Sequence, residues 1–232
     1  IVTRNPHKLG DVIRMTDANA VLTTYYRNNV LHLFAMPSLI ACAFIANAEM
    51  RTEDIQRLAW RIYPYIAAEL FLKWRETELP RVVIQTLAVL REHGVLQCNA
   101  EQTVWRRPPP ASAGAMQLSL LAQLTLQFIE RYYLAIALLI EAGPGQITQR
   151  ALAERCQLMA QRMTLLYGFN SPEFFDRALF ENFIDLLRDR RAIRVGEGGK
   201  LDFDEVLEQV AQDAQIVLSE QIRHSILQVT HD

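Results

Sequence analysis

An almost uninterrupted apolar segment from Val30 to Ala48 constrains the fold of this chain more than any other feature. About 20 apolar residues let a helix cross a bilayer, so the segment belongs either in a membrane or in a protein core. Polar residues and a proline interrupt it, namely His32, Pro37, Ser38 and Asn47. A spanning helix would have to satisfy these groups away from water. We therefore predict a core helix that is broken at Met36-Pro37, because proline removes a backbone donor and disfavours helical geometry in the residue before it.

Composition and charge allow a well-packed globular core. Hydrophobic residues make up 50% of the 232 residues and charged residues 22%, with a formal net charge of −2. This charge gives no overall attraction to nucleic acid or to anionic lipid. The three cysteines, Cys42, Cys98 and Cys156, lie far apart among apolar neighbours. We predict reduced core thiols, with neither a disulfide nor a metal site.

Helical periodicity dominates the chain, and one proline-rich segment divides it. Apolar residues recur at the three-to-four spacing of buried helical stripes on both sides of Pro108–Pro110. The triple proline can continue neither a helix nor a strand. We therefore predict a division into residues 1–110, a linker plus a first helical lobe, and residues 111–232, a second helical lobe and a C-terminal helix.

The two halves also correspond to each other. At an offset of 97 residues, Leu87–Glu92 aligns with Ile184–Asp189, and each segment precedes a short hairpin pattern. Both halves place an apolar helix ahead of a helix that begins at threonine. This self-similarity predicts a duplicated unit. The predicted fold is mainly α, with two similar helical lobes of about three helices, each followed by a short β-hairpin wing.

Several helix ends have local signals. Thr52 with Glu53 and, later, Thr148 are predicted to cap their helices. Ser171-Pro172-Glu173 is predicted to open another helix, since proline suits the first turn. A last amphipathic helix is predicted over roughly Asp204 to Leu227.

Residues that carry chemistry are sparse. The sequence has no Gly-rich phosphate loop, no G-x-S-x-G elbow and no cysteine pair with metal spacing. We interpret His7 and Asp11 as parts of a surface turn and His32 as a hydrogen-bonded core histidine. The first residue is Ile1, and the opening IVTRNPHKLG has no signal-peptide pattern, so we expect a piece of a longer polypeptide.

Two polar clusters are candidate sites. The first is Tyr25, Tyr26, Arg27, Asn28 and Asn29, which stand beside the apolar segment and offer donors to a phosphate or to another domain. The alternative is that these groups satisfy nearby backbone. The second cluster, at a predicted helix end, is Arg188, Arg190, Arg191 and Arg194. A solvated basic face is the first interpretation there, a contact with anionic lipid headgroups the second and a contact with nucleic acid the third.

Five segments together resemble a known family. They are TTYYRNNVLHLFAMPSLIACAFI, RIYPYIAAELFLKW with ELP after it, WRRPPP, LTLQFIERYYLAIALL and FNSPEFFDRALFENFIDLLRD. In this order they are similar to the C-terminal region of the bacterial membrane-associated glycerol-3-phosphate acyltransferases. The resemblance runs from about Gly10 to about Asp189.

The resemblance implies an enzyme that transfers a fatty acyl group from acyl carrier protein or coenzyme A to the 1-hydroxyl of glycerol 3-phosphate. Its active site would use a histidine base and an orienting aspartate separated by four residues, with arginine motifs for the phosphate. No histidine of this chain is followed by an aspartate at that spacing. The resemblance therefore implies that the catalytic domain lies upstream, and it assigns no catalytic residue and no cofactor here.

The resemblance also implies partners and a place in the cell. The upstream catalytic domain would be the first partner, and an anionic membrane surface at the cytoplasmic face of the inner membrane a further one. No nucleic acid is expected. Two alternatives remain open at this point: a tandem winged-helix module that binds nucleic acid, and a helical scaffold for protein interaction.

Overall fold

The computed structural model describes residues 2–8, 10–167 and 176–231, and it is mainly helical, as predicted. The helices in the described part are α1 (Asp17–Ala46), α2 (Thr52–Leu70), α3 (Leu79–Glu92), α4 (Ala113–Ala142), α5 (Gln149–Tyr167), α6 (Arg177–Asp189), α7 (Glu205–Val217) and α8 (Glu220–His231). The strands are β1 (Val2–Asn5), β2 (Val12–Met15), β3 (Glu49–Arg51), β4 (Gln97–Cys98), β5 (Val104–Arg106), β6 (Ile193–Val195) and β7 (Leu201–Phe203). They form three small antiparallel sheets, ordered β1-β2, β3-β5-β4 and β6-β7.

Helix α1 is longer and more continuous than predicted. It begins after Thr16, whose hydroxyl accepts a hydrogen bond from the amide of Asn19 at 3.4 Å, and it passes through Pro37 to Ala46. The predicted break at Met36-Pro37 is therefore wrong. A proline removes one backbone bond, and the surrounding residues Ala35, Met36 and Leu39 are fully buried. Packing of these side chains holds the helix together across the proline.

Helices α1 and α4 form the centre of the molecule. The hydroxyls of Ser38 and Thr125 lie 2.7 Å apart, and the Cys42 thiol donates to the carbonyl of Ala122 at 3.3 Å. Residues later in α1 therefore contact residues earlier in α4, so the two helices run antiparallel. One continuous apolar core connects them to α2, α3, α5, α6, α7 and α8. Two separate lobes are not confirmed, because elements of both halves share this core.

The order of elements nevertheless repeats. The first half has helices of 30, 19 and 14 residues followed by a hairpin, and the second has helices of 30, 19 and 13 residues followed by a hairpin. In the first half β3 pairs with β5, and at the equivalent place Thr148 bridges to Lys200. The predicted hairpin wings are thus present in both halves.

A glycine joins the two halves closely. A Cβ atom on Gly114, in the first turn of α4, would lie 2.1 Å from the carbonyl oxygen of Gly94, which follows α3. Gly94 itself has φ of +69°, a conformation that glycine adopts without strain. The start of the second half therefore packs directly on the backbone that ends the first helical unit.

The other predicted helix boundaries are confirmed only in part. Thr148 caps α5, since its hydroxyl accepts from the amide of Ala151 at 3.3 Å. The segment Ser171-Pro172-Glu173 lies outside the described residues, and α6 starts later, with the Asp176 carboxylate accepting from Ala178. The single C-terminal helix is wrong, because α7 ends at Val217 and α8 begins at Glu220.

The long apolar segment serves partly as core. By length and composition, Tyr25–Ala46 is the one segment in the described part of the chain that is apolar enough to cross a membrane, and 56% of it is buried. Ala35 to Phe44 is buried apart from the half-buried Pro37, which confirms the core interpretation for that stretch. The first half of α1 is different: His32 is exposed there, so the predicted core histidine is wrong.

The cysteine prediction is largely confirmed. Cys42 and Cys156 are buried and Cys98 is half-buried, and all three are free thiols. Burial raises the pKa of Cys42 to about 12, so this thiol stays protonated at neutral pH.

Candidate functional site

The part of α1 before Ala35 carries apolar side chains that the described part of the chain leaves exposed. Six of them form what we call the aromatic face: Leu22, Tyr25, Tyr26, Val30, Leu33 and Phe34. Leu22, Tyr26, Val30 and Leu33 recur at helical spacing, so they share one side of the helix. Tyr25 and Tyr26 contact each other edge to face, with ring centroids 5.8 Å apart. Grouped exposed apolar side chains are common at surfaces that contact another molecule, so this face is a candidate site.

Arg27 lies on the same helix with a partner of its own. Its Nε and Nη2 atoms donate to the Asn28 carboxamide oxygen at 3.1 and 2.9 Å. Arg27 therefore has an acceptor within its own cluster. Asn28 and Asn29 are exposed, so this cluster presents polar groups next to the aromatic face.

Of the four arginines in the second cluster, which extend from the last turn of α6 to β6, three are paired with carboxylates. Arg188 bonds to Asp185 at 2.8 Å, Arg194 bonds to Asp204 at 3.1 Å, and Arg190 bonds to Glu76. Arg191 is exposed and has φ of 61°. Carboxylate partners offset three of the four charges, so the patch is less cationic than its sequence indicates.

A buried charge network links α2 to α4. Arg131 on α4 is 1% exposed and bonds to Glu69 on α2, whose other carboxylate oxygen accepts from the Tyr132 hydroxyl at 2.7 Å. The Tyr132 ring stacks on Phe183 of α6, with centroids 4.3 Å apart. Separation in sequence hides this arrangement, because Glu69 and Arg131 are 62 positions apart.

Glu130, the neighbour of Arg131 on α4, is also buried. Burial raises the pKa of its carboxyl group from 4.5 to about 7. The folded state therefore binds a proton more tightly than the unfolded state does. Its contribution to stability is most favourable below about pH 4.5 and is lost as the pH rises to about 7.

We expect Glu130→Gln to stabilise the chain at pH 8, by about 1–3 kcal/mol, because a neutral amide avoids the cost of burying a carboxylate. The gain should shrink strongly at pH 5, where the wild-type carboxyl is already protonated in the fold. Thermal denaturation at both pH values measures this difference. Glu92→Gln, at an exposed position, is the control, and an equal gain at pH 5 and pH 8 would contradict the expectation.

Within the described ranges, no group of three or more histidine, cysteine or acidic side chains is placed to hold a metal ion. The geometry there is that of buried structural networks and of one exposed apolar helix face. What it supports chemically is recognition of another surface or molecule.

The chain matches a known protein family. The family model described as "Glycerol-3-phosphate acyltransferase C-terminal region" matches residues 1–196. The chain belongs to this family.

Relatives match along nearly the whole chain. The glycerol-3-phosphate acyltransferase of Pseudomonas aeruginosa (strain UCBPP-PA14) is 46% identical over 222 residues, 95% of this chain and 26% of that protein. Those of Ectopseudomonas mendocina (strain ymp) and Pseudomonas fluorescens (strain SBW25) are 44% and 40% identical, over 97% and 99% of this chain and 27% of each relative. The chain thus spans about a quarter of the length of these acyltransferases.

The aromatic face lies within the part of the chain that matches the family. This acyltransferase C-terminal region contains α1 to α6 and β6 within the matched residues, and the exposed first half of α1 lies among them. The sequence signal for the face was available in the helical spacing of Leu22, Tyr26, Val30 and Leu33. Val30 and Leu33 were instead predicted to lie in the core, so the face was not predicted as an apolar surface.

Proposed function

We propose that this chain is the helical C-terminal domain of a glycerol-3-phosphate acyltransferase and that it supports a catalytic domain located upstream in the same polypeptide. The parent enzyme would transfer an acyl group from acyl carrier protein or coenzyme A to glycerol 3-phosphate. Support comes from the family match and from relatives of which this chain spans only about a quarter.

The aromatic face is the main observation in favour of a role in supporting the catalytic domain. Tyr26 is 60% exposed and Leu33 62% exposed, although both lie on a helix that is buried from Ala35 to Phe44 apart from Pro37. Leaving such side chains in water costs free energy that burial against a partner recovers. The upstream part of the polypeptide is the occupant we propose, with Tyr25, Tyr26, Arg27, Asn28 and Asn29 at the contact.

The upstream part expressed separately should bind this chain and gain acyltransferase activity, whereas this chain alone should have none. We expect Tyr26→Ser with Leu33→Ser to lower the assembled activity about tenfold or more, since loss of roughly 1.4 kcal/mol of contact energy is tenfold in affinity. Pull-down and acylation of glycerol 3-phosphate measure the two effects.

Leu120→Ser with Leu165→Ser is the matched control, because both leucines are exposed and lie outside the aromatic face. The control should bind and activate like the wild type. Full activity of the Tyr26/Leu33 variant, or acylation by this chain without the upstream part, would contradict the proposal.

The proposal extends to location and to internal organisation. We propose that the parent works at the cytoplasmic face of the inner membrane, with Arg188, Arg190, Arg191 and Arg194 near anionic headgroups, although the ion pairs reduce their net charge. We also propose that residues 1–110 and 111–232 each contain one copy of a duplicated unit of three helices and a hairpin wing, two similar lobes fused through a shared core. The matching helix lengths support this duplication.

A further inference from the structure

A groove lies between α2 and α7. Its inner part is a cavity of about 310 Å³. Four helices supply apolar and aromatic walls, which include Trp60, Tyr65, Ile129, Tyr132, Phe183 and Val210. A cleft of about 300–1,000 Å³ with mostly apolar walls and few polar groups is the usual form of a small-molecule site. This cavity has that form, and it lies where both halves of the chain meet.

The inner cavity adjoins a second, more polar one of about 560 Å³. Arg61 and Gln209 line both cavities, so the two lie side by side, and we call them together the α2–α7 groove. The outer part is lined by Arg51 and Arg57 as well as Arg61. One end of the groove is therefore apolar and the other is rich in arginine.

The charges of the outer part favour an anion. Glu49 and Asp54 also line it, but Glu49 bonds to Arg106, which lies outside the lining, and Asp54 bonds to Arg57 at 3.0 Å. Because Arg57 offsets Asp54 and Arg106 offsets Glu49, Arg51 and Arg61 leave the outer part with a net positive charge. Guanidinium groups recognise carboxylate and phosphate oxygens through paired hydrogen bonds.

The arginine at the inner end has a different role. Arg190 bonds to Glu76 and lies over the Tyr65 ring, 5.7 Å from its centroid. Its charge is thus used within the protein, and it serves as part of the wall. Arg61 is the arginine at the junction of the apolar and polar parts.

We propose that the α2–α7 groove binds an anionic amphiphile with a single hydrocarbon chain. The chain occupies the inner cavity against Trp60, Tyr65 and Phe183, and the carboxylate or phosphate head lies at Arg61. The inner volume is at the lower end of the range for ligand sites, so it admits one chain and not two. This site is separate from the aromatic face, and the inference stands whether or not the upstream domain binds there.

Trp60 gives a direct test, because it lines the inner cavity and is 54% exposed in the free chain. Titration of this chain with dodecanoate, dodecyl phosphate, dodecanol and inorganic phosphate, each below its micelle concentration, should change Trp60 fluorescence in a defined order. We expect both charged amphiphiles to saturate the signal at least tenfold more tightly than dodecanol, and inorganic phosphate to leave it unchanged. The tighter of the two indicates a fatty-acid or a lysophosphatidate-type headgroup.

Three variants locate the ligand. Arg61→Gln should weaken both charged probes at least fivefold and leave dodecanol unchanged, while Arg81→Gln, an exposed arginine on α3, should change nothing. Val210→Trp should fill the inner cavity and abolish the signal for every amphiphile. Gln209→Trp blocks the groove from an exposed position, so it remains informative if the Val210 variant does not fold.

Three results would overturn the proposal. Equal affinity for dodecanol and dodecanoate would remove the role of the headgroup. Unchanged binding in a folded Val210 or Gln209 variant would place the chain outside the groove. A Trp60→Phe variant that keeps the full fluorescence change would likewise show that the signal arises at another tryptophan.

Discussion

Replacing Glu69 with glutamine should lower the free energy of unfolding by about 3 kcal/mol. The Arg131 side chain is only 2% exposed, and Glu69 is its ion-pair partner. The buried Nε of Arg131 makes no hydrogen bond within the described part of the chain, so the Arg131 guanidinium has few partners besides Glu69. Neutralising Glu69 leaves that charge in the interior without compensation. For a chain of this size the loss corresponds to a fall of roughly 6–12 °C in Tm.

Urea and thermal denaturation of the chain measure this effect, and two further variants isolate its cause. Asp54→Asn removes the exposed pair with Arg57 and should cost less than about 1 kcal/mol. Glu69→Leu combined with Arg131→Met removes the buried pair altogether and should recover most of the stability, since a well-packed apolar pair avoids the desolvation cost. If Glu69→Gln were no worse than Asp54→Asn, the buried pair would not carry the stability assigned to it.

Truncating Trp105 to alanine should cost about 3–5 kcal/mol, the range for a large buried aromatic side chain. Trp105 is 2% exposed and stands on β5, the central strand of its sheet, opposite Met50 and Cys98. Its indole nitrogen donates to the Thr52 hydroxyl at 2.9 Å. The substitution therefore opens a cavity and removes the hydrogen bond that ties the sheet to the first residue of α2.

Trp60→Ala is the matched control. Trp60 is largely exposed, so its substitution should lower the free energy of unfolding by less than about 1 kcal/mol. Trp105→Phe should fall between the two, since it keeps most of the buried area and loses the hydrogen bond. Denaturation midpoints with unchanged m-values would show that stability alone has changed. Equal losses for Trp105→Ala and Trp60→Ala would contradict the role given to the sheet.

The helices of this fold were predictable where their signals are local. The cap at Thr148 and the two hairpins that follow α3 and α6 appear where the sequence places them. Each depends on the backbone preferences of a few adjacent residues. The candidate site was only partly predictable: Tyr25 and Tyr26 were identified, but the apolar residues beside them were assigned to the core.

Hydrophobic periodicity, cap residues and turn residues by themselves determined the mainly α architecture and its repeated order of elements. Tertiary packing decided the rest. Neighbours in the core kept α1 helical through Pro37, and the Thr52 hydroxyl accepts from the Trp105 indole where the sequence indicated a helix cap. Arg190 forms an ion pair with Glu76, which lies 114 positions away in the sequence. These outcomes depend on which distant groups the core brings together, and no local pattern contains that information.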